Sequence, residues 1–248
     1  MYTNYIFDLY GTLVDINTNE GKYSLWKNMA LLYSMSGAVY TPSELKKRYY
    51  QYLREEIDKI PHDRYTTHPE PQIEYVFLRL FKEKEVESNL EKAAIMGRTF
   101  RVLSMKYIRL YDGVHELFDA IRTHGGKAYL LSNAQRIFTE PEIRMLGIYD
   151  KFDDVLISSD MGCAKPDIMF YQHILKKHQL KPEESIMIGN DYKTDIEGSY
   201  QAGLDSLYLH TNISPEIKGK LLSKYTVMSG SLFEAIEALF PDTVSKQK

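Results

Sequence analysis

Tyr5-Ile6-Phe7-Asp8-Leu9-Tyr10-Gly11-Thr12-Leu13-Val14-Asp15 is the stretch whose reading decides the fold. Residues 5–9 mix aromatic and aliphatic side chains with little polar alternation, the pattern of a strand buried on both faces of a parallel sheet. Asp8 stands where that strand ends, and Gly11 permits a tight turn soon after it. Four further apolar runs of the same kind lie at 127–131, 154–158, 185–189 and 206–209. Helix-period segments at 114–124, 138–146, 168–179 and 194–202 alternate with them. This alternation predicts an α/β fold built on a parallel sheet.

Residues 16–107 break the rhythm. They read almost wholly as helix, at 25–32, 43–57, 72–84 and 90–105, with turn-rich breaks near 37–42 and 61–71. Such a block is too long for a crossover between neighbouring strands. It is expected to be an inserted α-helical cap over the sheet end where ligands bind, with 1–15 and 108–248 forming the core. The joins are expected at 15–20 and 108–113, and the tail Val244-Ser245-Lys246-Gln247-Lys248 is expected to fray.

With 248 residues, 44% hydrophobic and 26% charged, the chain has the make-up of an ordinary soluble globular protein. A formal net charge of -3 argues against nucleic acid or anionic membrane as a partner, leaving a small molecule as the expected one. The single cysteine, Cys163, excludes an internal disulfide and suits a reducing compartment. No run approaches the roughly 18 apolar residues of a membrane span, and the first residues lack a signal-peptide pattern. The expectation is a cytoplasmic protein.

Groups at the carboxyl ends of neighbouring parallel strands converge on one crevice, and four such ends carry polar clusters. Asp8 is a carboxylate that can attack an electrophile there, with the Thr12 hydroxyl available to the ligand. Ser132 and Asn133 follow the second run and offer donors to an anionic oxygen. Lys165, before Pro166, offers a compact positive charge, and Pro166 is expected to start the next helix. Asn190, Asp191 and Asp195 gather hard oxygen ligands suited to Mg2+ at a strand-to-helix junction. Each cluster also has a plain structural reading: a loop Asp, a Ser-Asn turn, a solvated Lys, and a helix cap with a first-turn acid.

In their order, these residues resemble the haloacid dehalogenase-like (HAD) hydrolase superfamily. Phe7-Asp8-Leu9-Tyr10-Gly11-Thr12-Leu13 is similar to its first motif, Leu131-Ser132-Asn133 to the second, Lys165-Pro166 to the third, and Gly189-Asn190-Asp191 with Asp195 to the fourth. The helical block is similar to the family's cap inserted after the first strand. The resemblance implies a Rossmann-like core and phosphate monoester hydrolysis through an aspartyl-phosphate on Asp8. It also implies Mg2+ held by Asp8, the Tyr10 carbonyl and Asp191, with Asn190 and Asp195 beside it. Lys165 would offset charge, and Ser132, Asn133 and Thr12 would hold phosphoryl oxygens.

Tyr10 departs from the phosphatase pattern, which places a second Asp there as general acid and base. A phenol is poorly matched to proton transfer at neutral pH. Tyrosine at this position instead resembles the 2-haloacid dehalogenase branch, where Asp attacks carbon, halide leaves unprotonated and no metal is needed. Asp191 pulls the other way, because crowded carboxylates call for a cation. The segment Gln72-Ile73-Glu74-Tyr75-Val76-Phe77-Leu78-Arg79 is only superficially like the dehalogenases' arginine region, and Pro69 stands where the arginine would precede it. A third reading is a non-catalytic protein that binds a phosphorylated ligand through aromatics including Tyr33, Tyr40, Tyr49, Tyr50, Tyr52, Tyr65 and Tyr75. Against it, Tyr49, Leu53 and Ile57 fall at helical spacing, which favours packing.

Overall fold

The strand that carries Asp8 at its end, Asn4–Phe7 (β1), runs through the middle of a six-stranded parallel sheet. The computed structural model describes residues 2–61 and 66–241. On one side of β1 lie Lys127–Ser132 (β4) and then Asp154–Ile157 (β5). On the other lie Ser185–Gly189 (β6), Asp205–Leu209 (β7) and Tyr225–Val227 (β8). The chain fills the β4-β5 side first and then returns across β1 to β6. This reversal of winding opens a crevice at the carboxyl end of β1.

Alternate residues of each strand enter two different cores. Tyr5, Phe7, Leu130, Ile186 and Ile188 pack beneath Val114–Thr123 (α5) and Leu232–Leu239 (α10). Ile6, Tyr129, Leu131 and Met187 pack against Phe170, Tyr171 and Ile174 of Ile168–Lys177 (α8). Because both faces are covered, the strands read as continuous apolar runs rather than alternating ones. Arg136–Met145 (α6) follows β4.

All five expected strands are present. The sequence reading missed β8 and a two-stranded antiparallel ribbon, Val14–Thr18 (β2) with Met105–Leu110 (β3). This ribbon is the stalk joining the helical block to the sheet. Its second strand, β3, begins at Met105, inside the segment expected to be helical. The helix expected to start at Pro166 starts at Ile168. The segment expected to be one helix over 194–202 is a wide π-turn, Tyr192–Glu197, running into Gly198–Gln201.

The helical block is Tyr23–Met35 (α1), Pro42–Asp58 (α2), Glu74–Lys82 (α3) and Leu90–Ser104 (α4). A reciprocal box at the start of α2 fixes its end: the Thr41 hydroxyl accepts from Glu44 N–H while the Glu44 carboxylate accepts from Thr41 N–H. The block holds an aromatic core of its own, in which Phe100 lies 5.2 Å from Tyr49 and 5.5 Å from both Trp26 and Phe77, ring to ring. Tyr33, Tyr40, Tyr49 and Tyr52 are buried there, as packing predicts, whereas Tyr75 is exposed. Tyr65 and the residues 244–248 lie outside the described residues.

Phe100 touches three other rings and is fully buried. Phe100→Ala is expected to lower stability by about 3–5 kcal/mol, the usual cost of removing a buried ring. Urea unfolding followed through Trp26, the chain's one tryptophan, measures this. A loss under about 1 kcal/mol would show that this core does not close around Phe100.

Candidate active site

Three strand ends meet at one ammonium group. Lys165 Nζ donates to Asp8 Oδ1 at 2.7 Å and to Asp195 Oδ1 at 2.8 Å, and Lys165 and Asp195 are each 1% exposed. Burial alone would lower the lysine's pKa, but the two carboxylates outweigh it and hold it above the ordinary value. For Asp195 the balance is reversed: burial, with Asp8 nearby, raises it above the carboxylate range despite Lys165.

Local structure explains how these groups are presented. Gly11 has φ +91, and a Cβ there would lie 2.3 Å from Asn190, so the turn after Asp8 requires glycine. Asp195 packs equally closely on Gly189, and its Oδ2 accepts from the Asp191 N–H at 2.9 Å. Asp191 Oδ1 accepts from Lys193 and Thr194 N–H at 2.8 and 3.1 Å and so caps the wide turn. Such wide turns are often found at functional sites.

The structure redistributes several expected roles. Asn133, expected at substrate, clamps the lysine-bearing loop: its Nδ2 donates to the Lys165 carbonyl at 2.8 Å and its Oδ1 accepts from Lys165 N–H at 2.7 Å. Thr12, also expected at substrate, is fully buried, with its hydroxyl 3.3 Å from both Asp8 Oδ2 and Asn190 Oδ1. Asn190 donates in turn to the Ser214 hydroxyl at 3.3 Å. Both oxygens of Asp195, expected among the metal ligands, already accept hydrogen bonds. Ser132 is 1% exposed and its Oγ has no partner. A buried hydroxyl without a partner costs stability and fits a group that arrives with a ligand.

Tyr10 turns its side chain toward α6 and α4. Its hydroxyl donates to Glu142 Oε2 at 2.5 Å and lies 3.0 Å from Thr139 Oγ1. Glu142 also accepts from Arg101 Nε at 2.6 Å. Burial and the Glu142 charge push the phenol above its ordinary value, although Arg101 opposes them. Proton donation by Tyr10 is therefore harder than by a free tyrosine. Arg79, in the segment compared with the dehalogenases, pairs with Glu55 and Glu56 instead.

The donor set fits Mg2+. The Tyr10 carbonyl accepts none of the turn's hydrogen bonds, and Asp191 Oδ2 accepts none either. Among the described residues no three His, Cys, Asp or Glu side chains converge as a metal cage. Mg2+ needs no such cage, since it commonly takes one or two carboxylates and keeps several waters.

A cavity of about 380 Å3 lies where the helical block meets the core, lined among others by Tyr10, Glu20, Glu70, Arg101, Asn133 and Gln135. Further contacts join the helical block to the core: Gln135 donates to Glu70, Asp167 accepts from His68 N–H at 2.8 Å, and Pro69 forms a bridge to Cys163. Asp167, just before α8, is held by this loop rather than capping its own helix. Sequence reasoning missed Glu20, Glu70, Arg101, Gln135 and Glu142. Each lies in a helix or loop away from the four strand-end clusters, and no spacing signals it.

A family model described as haloacid dehalogenase-like hydrolase matches residues 2–203. Glyceraldehyde 3-phosphate phosphatase of Methanothermobacter thermautotrophicus is 26% identical over 116 residues, covering 47% of this chain and 51% of that protein. The chain thus spans about half the length of the curated relatives it matches. A 2-haloacid dehalogenase from Pseudomonas syringae superposes with a TM-score of 0.65 at 16% identity, covering 97% of this chain and 100% of that one. The HAD-hydrolase YfnB of Bacillus subtilis, bound to magnesium, gives 0.56 at 20%, covering 96% and 99%. At these identities the structures speak for the fold alone. No described helix is long and apolar enough to cross a membrane.

Burial raises the Glu70 carboxyl from 4.5 to about 7, against the pull of Gln135. The folded state therefore holds this proton where the unfolded chain has released it, so stability falls as pH rises from about 4.5 to 7. Glu70→Gln is expected to remove roughly 1–3 kcal/mol of that decline, discounted for partial exposure. Urea midpoints at pH 5 and 7.5 test this, and parallel slopes for both proteins would refute it.

Proposed function

Because the chain belongs to the haloacid dehalogenase-like hydrolases, we propose that it is a Mg2+-dependent phosphatase acting on a small phosphorylated metabolite, with Asp8 as nucleophile. One observation carries this choice. Asp8, Asp191 and Asp195 stand at the strand ends with Lys165 as the ammonium that pairs with two of them, a surplus of negative charge that a cation and its phosphate ligand would balance.

In this reading Lys165 fixes Asp8 Oδ1 and leaves Oδ2 to attack phosphorus. The P–O bond to the leaving group breaks as the aspartyl-phosphate forms, and water then cleaves that intermediate, returning the carboxylate and releasing phosphate. The Ser132 hydroxyl would donate to a phosphoryl oxygen, and the charge of Lys165 would favour the more anionic transition state. Mg2+, held by Asp8, Asp191 and the Tyr10 carbonyl, would offset the repulsion between phosphate and carboxylates. Asn133, Thr12 and Asn190 are positioning residues for Lys165 and Asp8. Residues 16–107 would act as a cap, keeping bulk water from the reaction.

The second reading is 2-haloacid dehalogenation, favoured by the locked Tyr10 hydroxyl: halide needs no proton on leaving. It is weakened at the cavity wall, where the lining arginine, Arg101, is already paired with Glu142 instead of being free for a substrate carboxylate.

Release of p-nitrophenol from p-nitrophenyl phosphate is expected with Mg2+, to stop with EDTA, and to fall roughly 10³-fold or more in Asp8→Asn. Halide release from 2-chloropropionate that EDTA leaves untouched would overturn this in favour of the dehalogenase. Inactivity on both substrates would favour a binding role.

The missing acid at position 10 gives a second expectation. Tyr10→Asp should speed alkyl phosphate turnover by about 10-fold or more, within the usual contribution of general acid catalysis. Equal rates in both proteins would show that another group already supplies the proton.

A further inference from the structure

The cavity walled by Tyr10 and Asn133 has an unequal charge balance. Arg101 is the basic side chain on its wall, and it gives Nε and Nη2 to Glu142 at 2.6 and 3.3 Å, so the charges of this buried pair cancel. Glu70 is held by the neutral amide of Gln135. The Glu20 side chain has neither a hydrogen bond nor an ion pair among the described residues. Its backbone is nonetheless fixed, because the Glu20 carbonyl accepts from the Trp26 indole at 2.7 Å. Burial raises the pKa of both carboxyls, with Arg101 opposing this only at Glu20. This is how a desolvated carboxylate behaves when no cation is paired with it directly.

The wall includes Tyr10, two residues past the nucleophile, and Asn133, next to the Ser132 hydroxyl. It thus takes in the chain neighbours of both groups that the phosphatase reading places at the phosphoryl group. Resting on the phosphatase reading, we propose that this cavity receives the leaving group and that Glu20 makes it select esters whose leaving group carries no negative charge, an ammonium-bearing one above all. A carboxylate entering here would lose its hydration with the Tyr49 hydroxyl but no unpaired cation to meet it, and would face Glu20 in a medium that screens charge less than water does. An ammonium group would find in Glu20 an acceptor with no other partner.

The test is a matched two-carbon series with Mg2+: 2-aminoethyl phosphate, 2-hydroxyethyl phosphate and 2-phosphoglycolate, with p-nitrophenyl phosphate as the reference. The expected order of kcat/KM is amino, then hydroxy, then carboxylate, with the two ends separated by at least about tenfold, or 1.4 kcal/mol. Glu20→Gln should shrink that ratio at least about threefold, whereas Glu20→Asp, which keeps the charge, should preserve the order. Equal rates across the series, a preference for phosphoglycolate, or an unchanged ratio in Glu20→Gln overturns the proposal. Because the wild-type ratio is itself a readout, a variant that fails to fold does not rescue it. Hydrolysis of the reference ester without charge order sinks this inference alone, whereas inactivity on the reference ester sinks the phosphatase reading and this one with it.

Discussion

A buried ammonium held between two carboxylates is the constraint around which the site is built. Bringing Lys165, Asp8 and Asp195 out of water costs several kcal/mol per ion, offset only if each charge meets its partners at close range. The contacts of 2.7 and 2.8 Å meet that demand, and they need three strand ends held at fixed spacing. The parallel register of β5, β4, β1 and β6 supplies it. Asn133 anchors the main chain of Lys165, the Asp191 N–H anchors Asp195, and the Gly11 turn lets Asn190 come close. Removing one member would strand a charge in the interior, which is why the surrounding hydrogen bonds serve position more than binding.

The Tyr10 side chain fills the position two past Asp8, where the phosphatase pattern places an acid. A carboxylate there would add a further negative charge to a site already rich in them. The phenol instead reaches Glu142, which also takes Arg101 from α4. The turn that follows Asp8 is thereby tied to the helical block through one buried pair. The same pairing removes Arg101 as a free cation from the cavity, so the locked Tyr10 hydroxyl and the lack of an unpaired cation in the cavity share one physical origin.

Much of this fold was legible in the sequence. Strands covered on both faces must be apolar at nearly every position, and that signal found β1, β4, β5, β6 and β7. The ribbon β2-β3 escaped because Val14-Asp15-Ile16-Asn17-Thr18 is short and its partner lies beyond the whole helical block. β8 escaped because three residues give no period. Asp8, Ser132, Lys165 and Asp191 were visible because each stands at or just past a strand end. Their supporting partners were not, since Glu142 lies within a helix, and Glu20 and Glu70 lie in connections that only tertiary packing brings to the cleft. The same holds for Thr12 and Asn133: residue type suggested donors for a ligand, but only geometry reveals that their donors already serve the protein.

The contacts between the helical block and the core differ in kind from those inside either. Within the block, ring-on-ring packing around Phe100 excludes water, and parting those rings would expose a large apolar area. Apart from Ile137 and Phe138, which reach into the block's core, the junction is largely polar: Arg101 with Glu142, Gln135 with Glu70, and His68 with Asp167. Polar pairs can trade each other for water at small net cost, whereas apolar faces cannot. The stalk is stiffened by Asp15, which takes Arg109 at 2.8 Å and Asn212 at 3.1 Å. A junction of exchangeable polar contacts on a stiff two-strand stalk is the arrangement a cap needs to admit a substrate without unfolding either hydrophobic core.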